Sequence, residues 1–212
     1  MRTKLLLITA AIGAASTLAL NAQVYSVNAV GYINLDLKDG INLVANQLDN
    51  GNGNTVADIL DGVPGGTIVY KFQADGSYAI NTYDADFTEW TDPTMTLDPG
   101  VGFWVSVPTS TTVTLVGEVP QGTLVNPIKA GLNLVSSIVP QAGKLVADLA
   151  YPVAGGDVVY QWDATHSAYV ISSYDADFGE WSPSEPAIAV GEGFWVSAAA
   201  DVDWTRDFSV NE

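Results

Sequence analysis

Residues 83–90 of the chain read YDADFTEW, and residues 174–181 read YDADFGEW. A second pair keeps the same spacing, because GVGFWVSV at 100–107 returns as GEGFWVSA at 191–198. Self-similarity at a fixed period decides the architecture before any single element is assigned. The sequence therefore predicts that one module was duplicated, and a catalytic constellation shared by both modules should appear twice.

The rest of the chain follows the same register. GINLVANQL at 40–48 aligns with GLNLVSSIV at 131–139. We therefore expect the first copy at 23–121 and the second at 122–212. The stretch VGEVPQGTLVNPI at 116–128 joins them without a Ser- or Gly-rich linker, which predicts two modules packed together with little independent motion.

The hydrophobic period within each copy is mostly two. TIVYKF at 67–72 and GFWVSV at 102–107 alternate or run through β-branched and aromatic residues, as half-buried strands do. Adjacent strand residues point to opposite faces. One ring of Phe103-Trp104 is therefore expected in the core, and the other on the surface or against the other module.

One short helix is expected in each copy. In the first, Asn54 is the predicted N-cap of TVADIL at 55–60. In the second, LVADLAY at 145–151 is stopped by Pro152. The predicted fold class is all-β, with two tandem homologous antiparallel β modules, each a sandwich or a partly open barrel with one short helix.

The first 22 residues have the layout of a secretory signal peptide. Arg2 and Lys4 form a basic head, residues 5–20 an apolar core, and Ala22 offers a small residue for cleavage. We therefore expect an exported protein, secreted or held at the cell surface, with the periplasm as a further location. No later segment is long and apolar enough to insert into a membrane after cleavage.

Composition excludes several classes of function. Subtracting Arg2 and Lys4 takes the formal charge from −17 to −19, and such a surface repels nucleic acid and anionic lipid. The chain contains no cysteine and one histidine, His166. Disulfides, thiolate chemistry and multi-histidine metal sites are therefore excluded, and structural zinc is not expected. No Gly-x-Ser-x-Gly elbow accompanies His166, which argues against a serine hydrolase.

The chain resembles repeat modules of exported bacterial proteins that carry G-x-N-L-V followed by G-x-G-[FY]-W-V. The matching segments are 40–44 with 100–105 in one copy and 131–135 with 191–196 in the other. The tryptophan that those modules often carry in the first motif is replaced here, by isoleucine and by leucine. Because that family is largely uncharacterised, the resemblance implies an exported all-β repeat and no activity.

Three carboxylates recur in each copy of the octapeptide; they are Asp84, Asp86 and Glu89 in the first and Asp175, Asp177 and Glu180 in the second. On an extended segment, Asp-x-Asp places both carboxylates on one side. Clustered oxygen donors suit Ca²⁺, the one cofactor that the sequence suggests, while paired carboxylates also serve glycoside hydrolases. The structural alternative is an exposed turn in which Asp caps the backbone and Tyr83, Phe87 and Trp90 pack beneath.

The aromatic residues add a further hypothesis. Trp104 and Trp195 recur at matching strand positions and are candidates for a flat platform that stacks on a sugar ring, or for core packing.

Three functions follow from the sequence. The first is a non-enzymatic structural, adhesive or assembly protein that self-associates through edge strands. The alternatives are a glycan-binding module, with or without Ca²⁺, and a glycoside hydrolase.

Overall fold

The computed structural model describes residues 29–210, so the predicted signal peptide at 1–22 lies outside the described residues. The first half of the molecule, residues 29–121, contains eight elements: β1 (Val30–Leu37), β2 (Gly40–Ala45), α1 (Val56–Ile59), β3 (Ile68–Phe72), β4 (Tyr78–Asp84), β5 (Glu89–Trp90), β6 (Gly102–Val107) and β7 (Thr111–Glu118).

The second half, residues 122–210, contains nine strands. They are β8 (Gly122–Ile128), β9 (Gly131–Val135), β10 (Gly143–Lys144), β11 (Val158–Asp163), β12 (Ala168–Asp175), β13 (Glu180–Ser182), β14 (Ala187–Ile188), β15 (Phe194–Ala198) and β16 (Val202–Phe208). The all-β prediction is confirmed. Within residues 29–210, no helix is long and apolar enough to span a membrane.

Each half contains one five-stranded sheet and one two-stranded ribbon, and the second half has the short two-stranded pair β10-β14 in addition. The sheet orders are β2-β6-β3-β4-β5 and β9-β15-β11-β12-β13, and the ribbons are β1-β7 and β8-β16. Every strand pair is antiparallel. The two halves therefore share one strand order, at the positions that the sequence register predicts.

The ribbon packs on one face of the sheet and encloses the core of its half. In β1, Ile33, Leu35 and Leu37 are buried at every second position, and they join a cluster with Phe103 and Val105 of β6. This period of two is what a strand with one wet face produces. Of the two predicted architectures, each half adopts the sandwich.

The opposite faces of the two sheets pack against each other. A separate apolar cluster between them contains Leu43 and Trp104 from one half and Leu134 and Trp195 from the other. β6 is consequently buried on both faces, with Phe103 in the core of its own half and Trp104 between the halves. The predicted division of the Phe-Trp pair is confirmed, and the second ring lies at the contact between halves.

Two helix predictions need correction. The N-cap of α1 is Thr55, whose hydroxyl accepts a hydrogen bond from Asp58 N, whereas Asn54 lies outside the helix with a φ of 52°. Residues 145–151 form a series of turns instead of a helix. Their backbone hydrogen bonds span four, five and six residues, so they do not repeat the constant four-residue spacing that a helix requires.

Candidate functional site

The glycines of G-x-G lie where the two halves cross. A Cβ on Gly193 would come 2.5 Å from the carbonyl oxygen of Val44, and a Cβ on Gly102 would come 2.9 Å from the carbonyl oxygen of Val135. The same Cβ on Gly193 would lie 3.3 Å from the Cα of Gly102. Only glycine allows the two backbones to approach this closely.

Backbone hydrogen bonds join the halves at the same place. Ala45 N donates to Gly191 O and Ser136 N donates to Gly100 O, both at 2.9 Å. Each half therefore contributes the end of its G-x-N-L-V strand and the start of its G-x-G-F-W strand to the contact. The buried Gln47 adds bonds that the second half does not mirror, since its Oε1 accepts from Gly191 N at 2.8 Å.

The asparagine of G-x-N-L-V closes a tight turn. Asn42 Oδ1 accepts from Lys38 N at 2.9 Å, and Asn42 Nδ2 donates to Lys38 O at 2.8 Å. Asn133 makes the same pair of bonds with Lys129. Both repeated motifs thus have structural roles in turn formation and in packing of the halves.

Trp104 and Trp195, the predicted stacking platforms, are both buried between the sheets. Trp104 meets Trp162 with ring centroids 5.3 Å apart, and Trp195 meets Phe72 at 4.7 Å, both edge to face. A sugar ring stacks only on an exposed aromatic face, and these rings are covered by aromatic residues of the opposite half. These two tryptophans could stack on a sugar ring only if the two sheets separated.

The acidic triplets lie on exposed turns. Asp84 Oδ1 accepts from Asp86 N, and Asp175 Oδ1 accepts from Asp177 N, both at 2.9 Å. This is the Asx geometry in which aspartate caps its own turn. Among residues 29–210, no group of three or more His, Cys, Asp or Glu side chains is arranged to hold a metal ion. The Ca²⁺ assignment of Asp84, Asp86, Glu89, Asp175, Asp177 and Glu180 stays a prediction.

The turn also corrects the expected position of its phenylalanine. Tyr83 and Trp90 pack together, with ring centroids 5.4 Å apart. Phe87, by contrast, is 73% exposed at the tip, and its counterpart Phe178 is 78% exposed. The turn is too short to fold the third ring back, because β4 and β5 pair up to Asp84 and Glu89 and leave only four residues between them.

His166 lies at the tip of the β11–β12 hairpin and is exposed. Its Nδ1 lies 2.6 Å from Asp163 Oδ2, and this hydrogen bond holds the pKa of Asp163 below its usual value. His166 faces solvent at the hairpin tip, and Asp163 is half-buried at the end of β11. The arrangement closes a turn and provides no enclosed site for catalysis.

The outer edge of β12 is the most exposed apolar strand segment in the second half. β13 pairs only with Ser173–Asp175, so no other described strand covers residues 168–172 on that side. Tyr169, Val170 and Ile171 are consecutive and are between 42% and 53% exposed. In the first half, β4 has Tyr78 and Ile80 at the equivalent positions, with a half-buried Ala79 between them. Sequence periodicity marked both segments as strands without indicating which edges are uncovered.

A cleft of about 830 Å³ lies between the β3–β4 hairpin of the first half and the β8–β9 turn of the second. Phe72, Leu132 and Leu134 form its apolar part, and Lys71 and Lys129 border it. Its size falls within the range of ligand-binding clefts.

No family profile, curated protein or solved structure matches the chain.

Proposed function

We propose that the chain is a non-enzymatic exported protein that acts in assembly or adhesion by adding strands at the outer edge of β12. The uncovered apolar segment Ala168–Ile171 is the observation that carries this proposal. The buried position of the repeated tryptophans and the Asx turns of the acidic triplets support a non-catalytic role.

An edge strand leaves a row of backbone N–H and C=O groups without partners, and another strand satisfies them. Soluble proteins usually protect such edges with lysine, proline or a bulge. Residues 168–172 contain none of these protective residues, and Tyr169, Val170 and Ile171 would lose apolar surface to water on pairing. Both the hydrogen-bonding and the apolar contributions therefore favour a second strand at this edge.

The test is light scattering of the purified protein over a wide range of concentration and salt. We expect the average mass to rise with concentration. Salt should promote this association, because it screens the repulsion between molecules of formal charge −17 or more negative. A basic partner would give the opposite dependence on salt.

Ile171→Lys should weaken the association at least about tenfold, because an unpaired charge would be buried in the contact. Val190→Lys is the matched control, since Val190 is also exposed but lies in a turn outside any strand. A protein that stays monomeric under all conditions, or an Ile171→Lys variant that associates like the unaltered protein, would overturn the proposal.

A further inference from the structure

The two halves differ at one equivalent position of their hairpins. In the second half, Trp162 Nε1 donates to the carbonyl oxygen of Ile41 at 3.0 Å and covers the outer edge of β2. In the first half, the equivalent residue is Phe72, which packs against Trp195 but has no N–H to donate. The outer edge of β9 at Leu132 therefore lacks the cover that the edge of β2 receives.

The backbone groups of Leu132 point towards this uncovered edge. Ser136 N donates outward to Gly100 O, away from β15, which lies on the other side of β9. Because backbone groups alternate in direction along a strand, the N–H and C=O of Leu132 point to the same side as those of Ser136. Leu132 is exposed, and the cleft of about 830 Å³ runs along this edge.

Leu132 thus presents an N–H and a C=O on the same side, beside an apolar cleft. One residue of an extended chain can form hydrogen bonds with both of these groups. The bridge between Val101 and Val135 ends the free edge of β9 at Asn133, so that Leu132 alone turns its backbone groups outward there, and the exposed edge of β12 from Ala168 to Ile171 is long enough to pair with it. Each edge is uncovered within its own molecule.

Charge also favours this pairing. The chain has 24 acidic residues against seven basic ones, and two of those seven, Lys71 and Lys129, border the cleft together with one carboxylate, Asp75, so that the cleft is much less negative than the rest of the surface. Lys129 is paired with Asp201, whereas Lys71 donates to Thr96 O and forms no ion pair within residues 29–210. Two molecules of the same negative charge therefore repel each other less at the cleft than over the rest of the surface.

We infer that the β9 edge in the cleft receives the β12 edge of a second molecule of this chain, so that molecules join head to tail. This inference rests on the proposed function and identifies the acceptor for the β12 strand. A contact between two different surfaces does not close on itself unless its rotation closes a ring. Assembly should therefore continue past a dimer.

The first half can be altered to resemble the second. Phe72→Trp should place an indole Nε1 on the carbonyl oxygen of Leu132, as Trp162 does on Ile41, and cover the acceptor edge. Leu132→Lys is an independent second variant that puts a charge at the same exposed edge. Ile41→Lys is its matched control, because Ile41 lies at the edge that is already covered.

The experiment measures mass by light scattering for single variants and for mixtures. We expect Phe72→Trp, Leu132→Lys and Ile171→Lys each to be monomeric where the unaltered protein and Ile41→Lys form species larger than a dimer. A mixture of Phe72→Trp and Ile171→Lys retains one working acceptor and one working donor. It should therefore form a heterodimer and nothing larger.

The outcomes separate this inference from the proposal on which it rests. If Ile171→Lys blocks assembly while Phe72→Trp and Leu132→Lys assemble normally, the β12 edge is used but the cleft is not its acceptor. A mass that stops at a dimer, or a mixture that gives no heterodimer, would also overturn the head-to-tail contact. If the unaltered protein never associates, the proposed function fails together with the inference.

Discussion

The two halves of this molecule share a strand order and differ in how their edges are covered. In the second half, Trp162 reaches the other half with both a ring and a hydrogen bond, whereas Phe72 in the first half reaches it with a ring alone. Gln47 and Glu192 form polar contacts, whereas the residues at the equivalent positions of the other half, Ile138 and Val101, are apolar. The same strand order therefore occurs twice in the molecule, and one edge of the contact between the halves is left open.

The largest expected effect comes from the crossing of the two backbones. Gly193→Ala should reduce the free energy of unfolding by about 3 kcal/mol or more, because its Cβ would overlap the backbone of Val44. Gly102→Ala should cost less, about 1–2 kcal/mol, since its closest contact is longer. Urea unfolding measures both values.

Gly131→Ala is the control for these substitutions. Gly131 has a φ of 95° and open space around it, so this change measures backbone strain without a steric overlap, about 1–2 kcal/mol. If Gly193→Ala costs no more than Gly131→Ala, the close approach of the halves is not what restricts this position to glycine.

The next effect concerns the buried amide that only one half possesses. Gln47→Leu should cost about 2–3 kcal/mol, because it leaves the N–H of Gly191 and the carbonyl of Ser137 without their partner. Ile138→Gln, at the equivalent half-buried position, should cost less than about 1 kcal/mol, since its amide can reach solvent. Equal costs in urea unfolding would show that the halves are joined symmetrically.

The two halves can be made alike at this hairpin position by either of two substitutions, Trp162→Phe or Phe72→Trp. Trp162→Phe should cost about 1–2 kcal/mol, through the lost hydrogen bond to Ile41 and the lost ring contact. Phe72→Trp should stabilise by up to about 1 kcal/mol if its indole bonds Leu132. Thermal unfolding at one protein concentration compares them, and destabilisation by both changes would mean that the two edges are not equivalent.

Local alternation in the sequence was sufficient to predict much of this architecture. It assigned the strands and separated Phe103 from Trp104, because the direction of a side chain in a strand depends only on its neighbours in sequence. The same argument failed for residues 145–151, where apolar spacing resembled a helix but the backbone bonds are irregular. The phenylalanine at the tip of the octapeptide turn was also misplaced, because hydrophobicity alone does not indicate whether a loop can fold back.

The open and covered edges could not be predicted in this way. The bond from Trp162 to Ile41 joins residues 121 positions apart, and its absence at Phe72 has meaning only when the two halves are superposed in space. The sequence does show that GGTIVYKF at 65–72 ends in phenylalanine where GGDVVYQW at 155–162 ends in tryptophan. The sequence could not show which group accepts the hydrogen bond, because every residue carries a backbone carbonyl whatever its side chain.

Acidification tests a carboxyl group that only the second half contains. Burial raises the pKa of Glu192, although hydrogen bonds from Ala189 N and Gln161 Nε2 oppose the shift. The folded state therefore binds this proton more tightly than the unfolded state, and Glu192 contributes stability as the pH falls through its raised pKa. As the pH falls from neutral towards the ordinary pKa of a glutamate, the free energy of unfolding should rise less for Glu192→Gln than for the unaltered protein.

The control for this comparison is Glu89→Gln, which removes one negative charge from an exposed position. Four aspartates, Asp75, Asp92, Asp163 and Asp201, have pKa values lowered by hydrogen bonds, so the stability they contribute is lost only in more acid solution. Parallel curves for Glu192→Gln and the unaltered protein would contradict the assignment to Glu192.

The smallest effect is expected where the halves are most alike. Asp84→Asn keeps the acceptor that caps Asp86 N and should change the free energy of unfolding by less than about 0.5 kcal/mol, whereas Asp84→Ala loses the cap and should cost about 1 kcal/mol. The same pair of changes at Asp175 should give the same two values. Added Ca²⁺ provides the discriminating measurement, because an ion that binds only the folded state raises the melting temperature as its concentration exceeds the dissociation constant. If calcium raises it in the unaltered protein and not in the double variant Asp84→Asn, Asp175→Asn, the turns are cation sites as well as caps, and the two halves share this chemistry together with their shape.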